Sequence, residues 1–184
     1  MSTVTTTSTT ATSPESGMTT PGGGGQPLLP ETLRWRPLPA PLVEHAPSAL
    51  SVLRTPDQPV PCRRCLRDSR AGDEMLLLSY DPFLGDSPYR CASPIYVHAK
   101  PSCEPAALPT SGGAFAEQQR GRLLSVRAYD GGHMLRGAEV VAGDRLVETC
   151  QQLLGGGSAA EYCHVHYAEP GCFAVRVEKA PLSE

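Results

Sequence analysis

Arg122-Leu123-Leu124-Ser125-Val126-Arg127-Ala128-Tyr129 runs straight into Asp130-Gly131-Gly132. Leu124, Val126 and Ala128 alternate with Ser125, Arg127 and Tyr129, so residues 122–129 read as a strand with one apolar and one polar face. The Asp-Gly-Gly turn sends the chain back into a partner strand near 134–141, a hairpin. Over residues 144–154 the period changes. Leu146, Val147, Cys150, Leu153 and Leu154 make one apolar stripe at helical spacing, with Asp144 as N-cap and Gly155 as the stop. A helix with such a stripe has to bury it, and the sheet is the surface expected to take it.

The same reading extends in both directions. Residues 160–167 and 172–178 are two more strands, joined by Glu169-Pro170-Gly171. Upstream, residues 74–80 hold a continuous apolar run, expected of a strand buried on both faces, and 94–99 form another that opens with Pro94. The sum is an α+β domain over residues 48–181: a mostly antiparallel sheet of short strands with one amphipathic helix packed on it. The connection over 100–120, with three prolines and two adjacent glycines, is longer than most and so is either functional or mobile.

Residues 1–47 have a different character. The first 20 residues include 13 Ser or Thr, and Gly22–Gly25 follow soon after. Such a segment cannot bury enough apolar surface to offset its ordering entropy, so an N-terminal disordered tail is expected. Residues 26–47 carry six prolines and are expected to run extended, with Trp35 and Leu38 draped on the domain. The start shows neither the basic head nor the apolar core of a secretory signal, and a cytoplasmic location is expected.

Composition narrows the functional classes. The 184 residues carry a net charge of −3, with no like-charge block, so nucleic acid is not an expected partner. No apolar run approaches the ~18 residues of a membrane-spanning helix, so a membrane is not expected either. Fourteen Arg against two Lys fit a GC-rich genome, or guanidinium forks for carboxylate or phosphate.

Seven cysteines, an odd number without a secretory signal, point to a reducing compartment. Cys150 lies on the helix stripe and is expected in the core. Cys62-Arg63-Arg64-Cys65 is a C-x2-C, followed after 32 residues by His98 and, after four more, by Cys103. Two thiolates on one tight turn can both reach a tetrahedral ion, and a thiolate and an imidazole from elsewhere would close the site. Zinc is the cofactor that this set, Cys62, Cys65, His98 and Cys103, would take. The competing readings are unlinked thiols, or a reactive Cys62 beside Arg63, Arg64, Arg67 and Arg70. His164 and His166 share one strand face and could chelate a metal with His133 or Cys172; the plainer reading is two half-exposed histidines on a solvated face. His45 and His133 read as loop residues.

Pro61-Cys62-Arg63-Arg64-Cys65-Leu66-Arg67-Asp68, Leu76-Leu77-Leu78-Ser79-Tyr80, Ser87-Pro88-Tyr89, Pro94-Ile95-Tyr96-Val97-His98-Ala99, Val126-Arg127-Ala128-Tyr129-Asp130 and Gly171-Cys172-Phe173-Ala174-Val175-Arg176-Val177-Glu178 together form a pattern. It resembles the bacterial and fungal family catalogued as domain of unknown function 1203, over about residues 48–181. The resemblance implies no activity. It implies that Cys62, Arg63, Arg67, Tyr80, Tyr89, His98, Arg127, Tyr129 and Cys172 recur. It also implies that the place of Cys65 is not always Cys and that of His166 is often Arg, which counts against metal binding as a shared role.

Three functional expectations follow. The first is a small-molecule-binding or accessory metabolic protein, with a pocket for an anionic ligand lined by Arg63, Arg67, Tyr89, Tyr96, Arg127 and Tyr129. His98 would be its proton carrier, and Cys62 a second catalytic candidate. The second is a zinc-stabilised interaction module on Cys62, Cys65, His98 and Cys103. The third is a thiol enzyme using Cys62 or Cys172. The sequence leaves open whether the protein is an enzyme at all, and its oligomeric state.

Overall fold

Alternation along the 122–129 stretch becomes a strand in which Leu124, Val126 and Ala128 are buried. The structure, a computed structural model, describes residues 33–42, 51–100, 103–104 and 117–179. Its strands are β1 (Leu33–Arg36), β2 (Ser51–Arg54), β3 (Met75–Tyr80), β4 (Ser93–His98), β5 (Leu123–Tyr129), β6 (Leu135–Ala142), β7 (Tyr162–Tyr167) and β8 (Phe173–Lys179). The helices are a single turn, α1 (Glu117–Arg120), and α2 (Leu146–Leu154), which continues a 3-10 turn over Gly143–Arg145.

The strands form two antiparallel sheets where the sequence suggested one. The larger has the order β1-β8-β7-β5-β6 and the smaller β2-β3-β4. In the larger sheet, Leu124, Val126, Cys163, Val165, Val175 and Val177 meet Leu146, Cys150 and Leu154 of α2 in one core. Trp35, expected to be draped on the domain, instead belongs to β1, opposite Val177 of β8, and is buried. Asp144 does not cap α2. It sits inside the 3-10 turn, and α2 starts after Arg145 with no side-chain cap. That tight turn is held by close packing: a Cβ on Gly143 would lie 1.7 Å from the Gln119 carbonyl oxygen. The expected tail over 1–47 lies outside the described residues except for 33–42, as do His45 and residues 105–116 of the long connection.

The other face of the larger sheet is polar and aromatic. Cross-strand neighbours share a face, and the pairs Tyr129↔Tyr162, Arg127↔His164 and His164↔Arg176 line up on this one. It is covered, however, so the two histidines are not half-exposed. His164 is fully buried, with Phe83 packed edge-on at 4.7 Å, and His166 is buried beside it. Phe173 lies on the same face and joins the two sheets, entering the core of the smaller one with Tyr80, Leu78, Ile95 and Val97.

In β3 the apolar run is divided between two environments. Leu78 and Tyr80 enter that core, whereas Leu77, opposite Tyr96 of β4, turns to a cleft on the outer face.

Candidate metal centre

Residues 60–69 form a loop closed on itself. The Ser69 amide donates to the Val60 carbonyl (2.9 Å), the Cys62 amide to the Arg67 carbonyl (3.0 Å) and the Leu66 amide to the Cys62 carbonyl (3.1 Å). Leu66 takes the left-handed conformation at φ 53°, which tightens the turn so that Cys62 and Cys65 point to one side. The loop is clipped to β4: Cys62 pairs with Tyr96 in a parallel bridge, and the Arg63 amide donates to the Tyr96 carbonyl (2.9 Å). This clip brings His98, the last residue of β4, to the loop. The Cys103 amide donates to the Lys100 carbonyl (3.1 Å), which sets Cys103 beside the same strand end. The 32 residues between Cys65 and His98 are therefore largely one hairpin, out along β3 and back along β4.

The four ligating atoms of Cys62, Cys65, His98 and Cys103 all lie within 4.8 Å of one another. Cys62 Sγ and Cys103 Sγ are 3.8 Å apart, and His98 Nδ1 lies 3.6 Å from Cys65 Sγ and 3.5 Å from Cys103 Sγ. Zinc bonds of about 2.3 Å to sulfur and 2.0–2.1 Å to nitrogen, set at tetrahedral angles, place sulfurs about 3.8 Å apart and sulfur and nitrogen about 3.6 Å apart. The three separations match those edges. The His98 amide also points at Cys62 Sγ (3.4 Å).

The electrostatics ask for a cation. Burial pushes the Cys62 thiol up. The Cys103 thiol is pushed up to about 12, first by burial and then by the charges of Cys62 and Cys65. Cys65 is also penalised by burial, yet its thiol is lowered, because hydrogen bonds led by the Arg67 backbone outweigh that penalty. Three thiols so close cannot all ionise by themselves, and a dication among them removes the conflict. On the far side of the ring, His98 Nε2 lies 3.7 Å from Asp73 Oδ2, while Lys100 approaches the other carboxylate oxygen at 3.6 Å. A carboxylate behind the imidazole directs Nδ1 at the sulfurs, the usual second partner of a metal-bound histidine. Asp73 was the member of this set that spacing could not reveal.

The anion pocket expected from Arg63, Arg67, Tyr89, Tyr96, Arg127 and Tyr129 is not assembled. Tyr129 is buried against Phe83, Tyr89 and Tyr162. Arg127, on the same strand face, bonds Ser125 at 3.3 Å. Arg67 is exposed beside the cysteine cluster. Arg63 is buried and ties the loop to β8 through the Phe173 carbonyl (2.8 Å). Arg63 and Tyr96 of this set line one cavity together, and there they meet Arg122 and Tyr167, which the sequence did not single out. The His164/His166 chelate does not form either: the ring centres are 6.5 Å apart, and His133 Nδ1 lies 2.7 Å from the Tyr162 hydroxyl instead.

Among known families, the model described as "Protein of unknown function (DUF1203)" matches residues 59–179, and the chain belongs to that family. The match spans the cysteine loop, both sheets from β3 onward and α2. No curated protein and no solved structure matches the chain.

Proposed function

We propose that this protein is a zinc-stabilised interaction module in which Cys62, Cys65, His98 and Cys103 hold one structural ion. The observation that carries this reading is the set of separations among the four ligand atoms, 3.5 to 3.8 Å where measured pairwise. Three sulfurs and one nitrogen saturate a tetrahedral ion and leave no open position for substrate, so the ion's role is architectural. It would fasten the 60–69 loop and Cys103 to the end of β4, adding to the bridge and the Arg63 bond that already clip the loop there. Around it, Arg67, Arg70 and Lys100 are exposed on the rim of a depression of about 420 Å³, a surface that the ion would hold in shape.

Elemental analysis of the full chain, purified without a histidine tag or chelator, tests the reading. The expected result is one zinc per chain, lost in Cys62→Ser and in Cys65→Ser, and retained in His164→Ala and Cys172→Ser. Cobalt substitution should give the intense visible bands of a tetrahedral sulfur-rich site. A metal-free wild-type protein that unfolds no more easily than the loaded one would overturn the structural role.

A further inference from the structure

Between the two sheets lies a cleft of about 510 Å³, well within the range of small-molecule sites. One wall is the outer face of the smaller sheet, where Leu77 and Tyr96 stand opposite each other. The other walls come from the cysteine loop, from the turn after β7 and from the start of β5.

Arg63 lies in its wall with 1% of its surface exposed. Its guanidinium donates through Nε to the Phe173 carbonyl (2.8 Å), through Nη1 to the Pro61 carbonyl, and through Nη2 to Cys172 Sγ (2.8 Å). Its Cζ stacks 4.8 Å from the centre of the Tyr167 ring. None of these partners is a carboxylate, and among the described residues no carboxylate pairs with Arg63. A buried cation without a counter-charge is costly. The second guanidinium of the cleft, Arg122, is already matched by Asp68 at 2.9 Å. The one acid among the lining residues, Glu169, is exposed. The cleft therefore holds one unmatched positive charge, on a side chain with two of its five N–H groups uncommitted.

We propose that the cleft binds a small planar monocarboxylate. Arg63 supplies the counter-charge, and Leu77 and Tyr96 present an apolar wall to a ring-shaped body. One unmatched charge selects a monoanion; a phosphate dianion would need more free donors than Arg63 has left. The inference stands on Arg63 and the cleft, independently of whether the cysteine cluster holds zinc.

The probes are 2-naphthoate and its uncharged counterpart 2-naphthamide, titrated into the full chain and followed by protein NMR. Inorganic phosphate is the third arm. Arg63→Gln removes the charge but also three buried bonds, so a second variant is needed that leaves them intact. Gly121 lines the cleft, and a Cβ there meets nothing within 4 Å, so Gly121→Leu is the variant that narrows the cleft while leaving the Arg63 bonds in place. Saturable naphthoate binding, at least about tenfold tighter than naphthamide and weakened at least about tenfold by Gly121→Leu, is the expected result, a tenfold change being modest beside the loss of a buried ion pair. No saturable response to naphthoate, equal affinity for the amide, indifference to Gly121→Leu, or tighter binding of phosphate would each overturn it.

Discussion

Asp73 shows how much of a site depends on a residue that binds nothing itself. Its carboxylate stands 3.7 Å behind His98 Nε2 and is held in place by the Arg70 amide (2.8 Å) and by Lys100. Asp73→Asn should keep the fold and one zinc per chain but weaken zinc retention by about 10- to 100-fold, the usual cost of losing such a partner. Competition with a chromophoric chelator measures this, and an unchanged affinity would mean that the contact is incidental. Arg63 carries a second prediction. Lysine keeps the charge but cannot reproduce three bonds made in three directions, so Arg63→Lys should lower unfolding stability by about 2–4 kcal/mol. An unaltered denaturant midpoint would show that those bonds are not holding the loop to β8. The four candidate ligands were legible in the sequence because C-x2-C and H-x4-C are local spacings. The roles of Asp73 and Arg63 were not, because each is defined by where the chain returns in space: Asp73 by the β3–β4 register, Arg63 by a contact with β8, 110 residues away.

At the scale of elements, the periodic signals carried through and the long-range ones did not. β5 buries Leu124, Val126 and Ala128, and of the five stripe residues of α2, Leu146, Cys150 and Leu154 are buried while Val147 and Leu153 are partly so. β1 was missed as a strand because four residues among prolines have no period to read, and its pairing with β8 spans 142 residues. The split into two sheets was missed for a related reason: an apolar strand signals burial without saying against what. The junction before α2 gives a contrast that can be measured. A Cβ on Gly143 would collide with the Gln119 carbonyl at 1.7 Å, whereas one on Gly121 meets nothing within 4 Å. Both lie outside the left-handed region, so backbone preference does not separate them. Gly143→Ala should therefore cost about 3 kcal/mol or more through forced displacement of α1, while Gly121→Ala should stay within about 0.5 kcal/mol of wild type. Urea unfolding of the pair decides it, and equal midpoints would mean that the 3-10 turn and α1 are not packed as described.

For the molecule as a whole, the covered polar face of the larger sheet sets how it meets acid. Among the described residues His164 has no hydrogen-bond partner on either ring nitrogen, and it sits among Phe83, Tyr129, Tyr162 and Phe173. Burial holds its imidazole well below the ordinary histidine range, and the charges of Arg176, His166, His133 and Arg127 press the same way. His166 is pushed down to about 4, by burial first and then by Arg127, against a weaker opposing bond to the Gly171 carbonyl. Both rings are thus neutral in the folded protein at neutral pH, whereas the unfolded chain takes up these protons near pH 6.5. Between about pH 6.5 and pH 4 the unfolded state binds more protons, so stability is complete above that window and falls as the pH drops through it. For His166 alone the loss is on the order of 3 kcal/mol by pH 4. Replacing His164 with a side chain of similar size that cannot be protonated isolates its share. His164→Leu should change stability by less than about 1.5 kcal/mol at neutral pH, since the ring makes no hydrogen bond to lose. Its stability should then fall less steeply than that of wild type toward acid, by nearly one proton's worth of linkage between about pH 6.5 and pH 4.5. Denaturant midpoints of the two proteins across that range give the difference directly, and protonation of the cysteine cluster, common to both, cancels from it. Parallel curves would mean that the unfolding of this face does not release His164 to water, and that the acid sensitivity of the fold resides elsewhere.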